Sequence, residues 1–174
     1  QDGNPNGISF VSATPIADYG SKALNSAPSG GIDANGNLYV LFHGVMEDGS
    51  NGPSGKQYHF NNLHYRHQFA MKSTDGGCTW GSPIDLTNAG TGFEECVYGA
   101  MAPQVDSKIR FTYMEDINPG TAVGPVAHTN TLNEIVYVET NVVDIPNDNH
   151  KCATVINGDR ELCLGDSIYL DATP

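Results

Sequence analysis

Basic residues are scarce in this sequence: eight Lys and Arg stand against twenty Asp and Glu, a formal net charge of -12 over 174 residues. A surface of that kind repels phosphate backbones and anionic membranes, which argues against nucleic-acid binding. Also missing are an apolar run of membrane-spanning length, a signal-peptide pattern, and the CxxC or HxxxH spacings that hold zinc. The first residue is Gln1 and not Met, so the expectation is a processed or excised piece, the remainder of a longer chain being absent. Tryptophan occurs once, and long helices are not expected, because Gly 20 and Pro 10 with many Asn, Ser and Thr cut the chain into short runs. The length suits one ordinary domain, or one domain and a fragment of a second.

What is there is β-rich. Residues 1–29 read as an irregular N-terminal segment with an apolar patch at Ile8, Phe10 and Val11. Residues 30–146 hold the strands. Asp33-Ala34-Asn35-Gly36 tolerates positive φ and precedes the apolar run Leu38 to Phe42, which predicts a hairpin. The turn-rich stretch 44–62 reads as a surface insertion of the length at which loops carry function. Leu63 to Ser73 and then Ser82 to Thr87 resume strands, with a turn between them. A second round of the same layout follows: a strand near Ala100 to Val105, a turn at Asp106 to Lys108, and a strand from Ile109 to Met114. Asn133 to Ile145 adds one strand or a strand pair. The two rounds start roughly 70 residues apart, and without the insertion the period approaches the ~40 to 50 residues of a propeller blade. Past a boundary near Pro146, residues 147–174 read as a polar linker and the alternating strand Ser167 to Leu170.

Four cysteines, Cys78, Cys96, Cys152 and Cys163, form two pairs that are local in sequence, although four cysteines allow three connectivities. The local pairing Cys78–Cys96 and Cys152–Cys163 is favoured; each bridge closes a loop of roughly 10 to 20 residues and contributes on the order of 3 kcal/mol in the chain-entropy model. Disulfides place the chain outside the cytoplasm, as a secreted, extracellular or cell-surface protein.

The residues Ser73, Asp75, Gly77, Thr79 and Trp80 fit the pattern S-x-D-x-G-x-T-W. Short polar side chains can cap backbone N–H groups in a tight turn, Gly77 supplies a conformation closed to bulkier residues, and Trp80 buries a large face while its N–H seeks a carbonyl. Here the sequence resembles the Asp-box, or BNR repeat, of sialidases and related β-propeller proteins. The resemblance implies an all-β fold: a partial β-propeller of about two four-stranded blades with an Asp-box hairpin. The segment from Cys163 to Pro174 is similar to the start of an Ig-like or PKD-like β-sandwich, as in large secreted multidomain proteins of Bacteroidota. In that family Asp-boxes lie at the propeller periphery, which implies a structural role for the five motif residues.

By the same analogy a sialidase brings together three arginines, a Tyr–Glu nucleophile pair and an Asp acid/base. The chain offers only Arg66, Arg110 and Arg160, the last beyond the proposed boundary. Glu115 and Asp116, at the end of a predicted strand, are the candidate carboxylates, since glycoside hydrolysis needs two, and Arg66 and Arg110 are the candidate arginines. Adjacent acids at a strand end are more often solvated turn residues. His59, His64 and His67 invite a metal, yet alternation along a strand sends His64 and His67 to opposite faces, and His43 reads as a hydrogen-bonded strand-end histidine. Asp144, Asn147 and Asp148 form an oxygen-rich loop that is the calcium candidate, calcium being the one cofactor in view.

The function expected is therefore a non-enzymatic binding, adhesion or structural module with a glycan or protein ligand at its loops. One alternative is part of a sialidase-like glycoside hydrolase whose catalytic residues lie mostly outside this chain. Another is a homo-oligomeric subunit of an extracellular polymer, in which Ser167 to Leu170 adds to a neighbour's sheet edge.

Overall fold

Alternation decides which segments become strands. In the computed structural model, residues 25–46, 59–60, 63–87, 94–120, 131–148 and 150–151 are described, and of residues 59, 60, 150 and 151 only the backbone. The strands in chain order are β1 (Asn25–Asp33), β2 (Leu38–Val45), β3 (His59–Phe60), β4 (Leu63–His64), β5 (Arg66–Ser73), β6 (Thr79–Trp80), β7 (Ile84–Asp85), β8 (Glu95–Met101), β9 (Gln104–Val105), β10 (Lys108–Asp116), β11 (Glu134–Asn141) and β12 (His150–Lys151). A 3-10 turn, Val142–Asp144, follows β11, and no α-helix occurs among the described residues. The chain is all-β.

Two larger sheets carry the core. The first has the order β7-β5-β2-β1-β9, in which β7, β5, β2 and β1 are successive antiparallel neighbours and β9 joins in parallel through Ile32 and Gln104. Its central pair, β2 and β5, keeps one register from Leu38↔Ser73 to Val45↔Arg66. The second sheet has the order β11-β10-β8. Neither sheet closes on itself among the described residues.

The sheets meet face to face, with β8 packed against β1, β2 and β5. Every second residue of β2 and of β10 points into the seam: Tyr39 and Leu41 from one side, Ile109, Phe111 and Tyr113 from the other, joined by Ala70, Met101, Val105 and Ile145. Each such side chain withdrawn from water contributes about 1.5–3 kcal/mol, so these rows hold the two sheets together.

Several boundaries differ from the sequence-based expectation. β1 begins at Asn25, inside the segment read as irregular, because its pairing with β2 runs on from Ile32↔Leu38 to Asn25↔Gly44 across a bulge at Ala27. The second round starts at Glu95 and not near Ala100, since β8 pairs with β10 down to Asp116↔Glu95. Asn133 to Ile145 is one strand followed by the 3-10 turn. Ile145, just before the expected boundary near Pro146, lies in the core, and β12, just after it, pairs with β6. Most of the 44–62 insertion and the strand expected at Ser167 to Leu170 lie outside the described residues.

The expected Cys78–Cys96 bridge is corrected. Cys96 is a free, buried thiol on β8, packed in the seam with Tyr113. Burial pushes its pKa far up, which makes it an inert core residue. The Cys152–Cys163 pairing lies outside the described residues.

Candidate functional site

The strands have two unlike ends. At one end sit the turns: Asp33 to Asn37, Ser73 to Trp80, and Asp106 to Lys108. In the Ser73 to Trp80 turn, Ser73 Oγ donates to Asp75 Oδ1 (2.8 Å) and accepts from Gly77 N (2.9 Å). Asp75 also accepts from Thr79 N (2.9 Å) and Thr79 Oγ1 (2.6 Å), and Trp80 Nε1 donates to Gly77 O (3.1 Å). Gly77 has φ +97°, a backbone that a side chain would strain. The Thr79 bonds, side chain first, hold the Asp75 carboxyl down at about 2. All five motif residues face one another, so the motif shapes a turn and leaves no acid directed at a substrate.

A strap crosses this hairpin. Thr74 Oγ1 donates to Asn147 Oδ1 (3.4 Å), while Ser82 N and Oγ donate to Asp148 Oδ1 (2.5 Å) and Oδ2 (2.6 Å). Asp144 Oδ2 accepts from Asn141 Nδ2 (3.1 Å). The three calcium candidates are therefore turned toward three separate protein donors. No group of three or more His, Cys, Asp or Glu side chains able to hold a metal occurs among the described residues. Gly81 makes the strap's approach feasible, for a Cβ there would lie 2.0 Å from Pro146 O.

At the opposite end the sheets bury polar groups. His43, His64, Arg66, His67, Gln68, Thr87, Glu95 and Asp116 are all buried. They come from the last turn of β2, the first residues of β4, β5 and β8, the segment after β7, and the end of β10. Arg66 N donates to Glu95 Oε2 (2.6 Å), and Gln68 donates through N to Thr87 Oγ1 (3.1 Å) and through Nε2 to Cys96 O (2.8 Å). His67 Nδ1 donates to Asp85 Oδ2 (2.6 Å), His64 Nδ1 to Met46 O (2.9 Å), and Tyr65 OH to Ile117 O (3.0 Å). Asp116 accepts from Thr131 Oγ1 (2.6 Å) and Asn118 N (3.1 Å).

Glu95 and Asp116 stand directly opposite each other on β8 and β10. Two carboxylates in that relation repel, and burial strengthens the repulsion, so the cluster needs cationic charge nearby. Arg66 is the fully buried cation of the cluster. Tyr65 has its pKa raised by burial and then by the charges of Glu95 and Asp116, which places all of these groups within electrostatic reach.

His43 is the hinge of the cluster's outer side. Its Nδ1 accepts from Tyr98 N (3.4 Å), so the proton resides on Nε2, which donates to Ser26 Oγ (2.5 Å). That tautomer cannot take a proton from Ser26, which removes a Ser–His nucleophile from consideration. Burial, with Arg66 second, lowers His43 to about 4 and keeps the ring neutral at neutral pH. Two non-glycine residues with positive φ flank it, Ala27 (φ 51°) and Tyr98 (φ 55°), each at a bulge in its strand. Backbone strain of this kind persists where surrounding structure over-determines it.

The candidate catalytic residues do not converge. Arg66 lies in the polar end, whereas Arg110 sits six positions before Asp116 on β10, about 20 Å away along a strand. There Arg110 pairs with Glu139 (3.0 Å) and Asp106 (3.0 Å). Glu115 accepts from Tyr113 OH (2.8 Å), and its cross-strand neighbours are Cys96 on β8 and Glu134 on β11. Glu95, which does oppose Asp116, is not among the candidates drawn from the sequence. Only the pairing of β8 with β10 buries it.

No family model, curated protein or solved structure matches the chain. The turn from Ser73 to Trp80 is described by its own residues and their hydrogen bonds.

Proposed function

We propose that this chain is a non-enzymatic extracellular or cell-surface module for binding, adhesion or structure, built on propeller-like sheets, and that it takes up another polypeptide along β11. The observation that carries the reading is β11 itself. It has a strand partner on one side only among the described residues, and its register with β10 is unbroken from Lys108↔Asn141 to Glu115↔Glu134. Ile135 is 73% exposed and Tyr137 58% exposed, while Val136 and Val138 pack inward. An edge strand this long, with no Pro, Lys or bulge to blunt it, is a template for strand addition. Against catalysis stands the way Arg110, Glu115 and Asp116 are each held by neighbouring protein groups.

Light scattering over a concentration series tests the edge, with a second copy as the first partner. Association that disappears in the Ile135→Lys/Tyr137→Lys double variant supports strand docking at β11. Binding on a glycan array that survives the same change places recognition elsewhere. Turnover of a fluorogenic glycoside by the chain overturns the non-enzymatic reading.

A further inference from the structure

The strap suggests a covalent bond. β12 pairs antiparallel with β6, with His150 opposite Trp80 and Lys151 opposite Thr79. Continuing that register by one step in the sequence would bring 78 opposite 152, and the sequence has cysteine at both. Directly opposed residues in an antiparallel pair have Cα atoms about 4.5–5.5 Å apart, inside the range a disulfide spans. The described cysteines differ in state: Cys96 is the free thiol, sealed in the core, and Cys78 is not free. Cys96 is thereby removed as a partner.

We propose that Cys78 and Cys152 form a disulfide that locks the strap onto the Asp-box hairpin. The two thiols lose two protons and two electrons to a disulfide-bearing oxidant by thiol–disulfide exchange; one S–S bond forms here, and the oxidant leaves as its dithiol. The bond closes a loop of about 75 residues, in place of the short loop that a Cys78–Cys96 pair closes, and long loops constrain the unfolded chain most. Its consequence is mechanical as well as thermal. The bond would tie the strap covalently to the hairpin that follows β5. Ser82, Thr74 and Gly81 pre-position the strap for this bond.

Peptide mapping of the alkylated, unreduced protein reads the pairing directly. The expected product is a linked pair containing Cys78 and Cys152, about 2 Da lighter than the two reduced peptides. A linked Cys78–Cys163 pair, or alkylated Cys78, overturns the proposal. Independently, Cys152→Ser and reduction of the wild type are expected to lower the melting temperature by the same amount, roughly 10 °C, while Cys163→Ser leaves it unchanged. An equal fall in Cys163→Ser overturns it too.

Discussion

The two ends of the sheets satisfy their polar groups by opposite means. At the turn end the bonds inside each turn are local: Asp33 accepts from Asn35, Asn37 and Tyr39, and Asp75 from Thr79, all within six positions, while the strap bonds of Thr74 and Ser82 span 73 and 66 positions. At the buried end the partners are far apart in sequence: Ser26 with His43, Arg66 with Glu95, Tyr65 with Ile117, His43 with Tyr98, separated by 17, 29, 52 and 55 positions. Local bonds can form before the sheets pack. The distant ones exist only once both sheets are in place, which makes the buried end the place where the fold is checked for completeness.

The largest expected effect follows from that contrast. Glu95→Leu removes the buried carboxylate that accepts from the Arg66 backbone N–H and should cost about 3 kcal/mol, read from urea unfolding midpoints. Asp75→Ala, by comparison, should loosen one hairpin and cost less, because its partners can turn to water. Equal losses would erase the distinction between the two ends.

Gly81→Ala should come next, at about 1–3 kcal/mol, since its Cβ would meet Pro146 O and the strap would have to move. Hydrogen exchange should show the loss of protection at β6 and β12 and not at β8.

Acid should then resolve the ends by pH. His43 is lowered from 6.5 to about 4, so the stability it contributes is whole above pH 6.5 and is lost as pH falls toward 4. Asp75 is lowered from 3.8 to about 2, so its share is whole above pH 3.8 and lost toward pH 2. Thermal midpoints followed from pH 7 to pH 2 should fall in both windows; His43→Asn should remove the upper one and Asp75→Asn the lower. The smallest effect belongs to Ala27→Gly. Relief of the positive φ is offset in part by glycine's chain entropy, so a gain of about 0.5 kcal/mol is expected.

Much of the turn end could be read in advance. The Asp33 to Gly36 hairpin stands as expected, with Gly36 at φ 84°, and so do the cap bonds of Ser73, Asp75 and Thr79 and the carbonyl partner of the Trp80 N–H. The inward alternation of Ile109, Phe111 and Tyr113 was equally visible. His43 is the hydrogen-bonded strand-end histidine its position suggested, yet its partners could not be named. Glu95 was invisible, and Arg66 was visible only as one of a small number of arginines. A strand's period states which residues share a face; it says nothing about which strand lies across from them. The same limit misdirected the Cys78–Cys96 pairing, because nearness in sequence does not reveal that β8 carries Cys96 into the core.

The sequence by itself determined the strand segments, the turn chemistry and the scarcity of cationic charge, because each depends on interactions within a few residues or on composition. Tertiary structure alone decided that Glu95 opposes Asp116, that Arg66 is buried beside them, that Cys96 stays reduced in the core, and that the segment after Ile145 straps the Ser73 to Trp80 turn. Those outcomes depend on strand pairing between segments that lie tens of residues apart, where burial replaces water with whatever group the opposite strand presents.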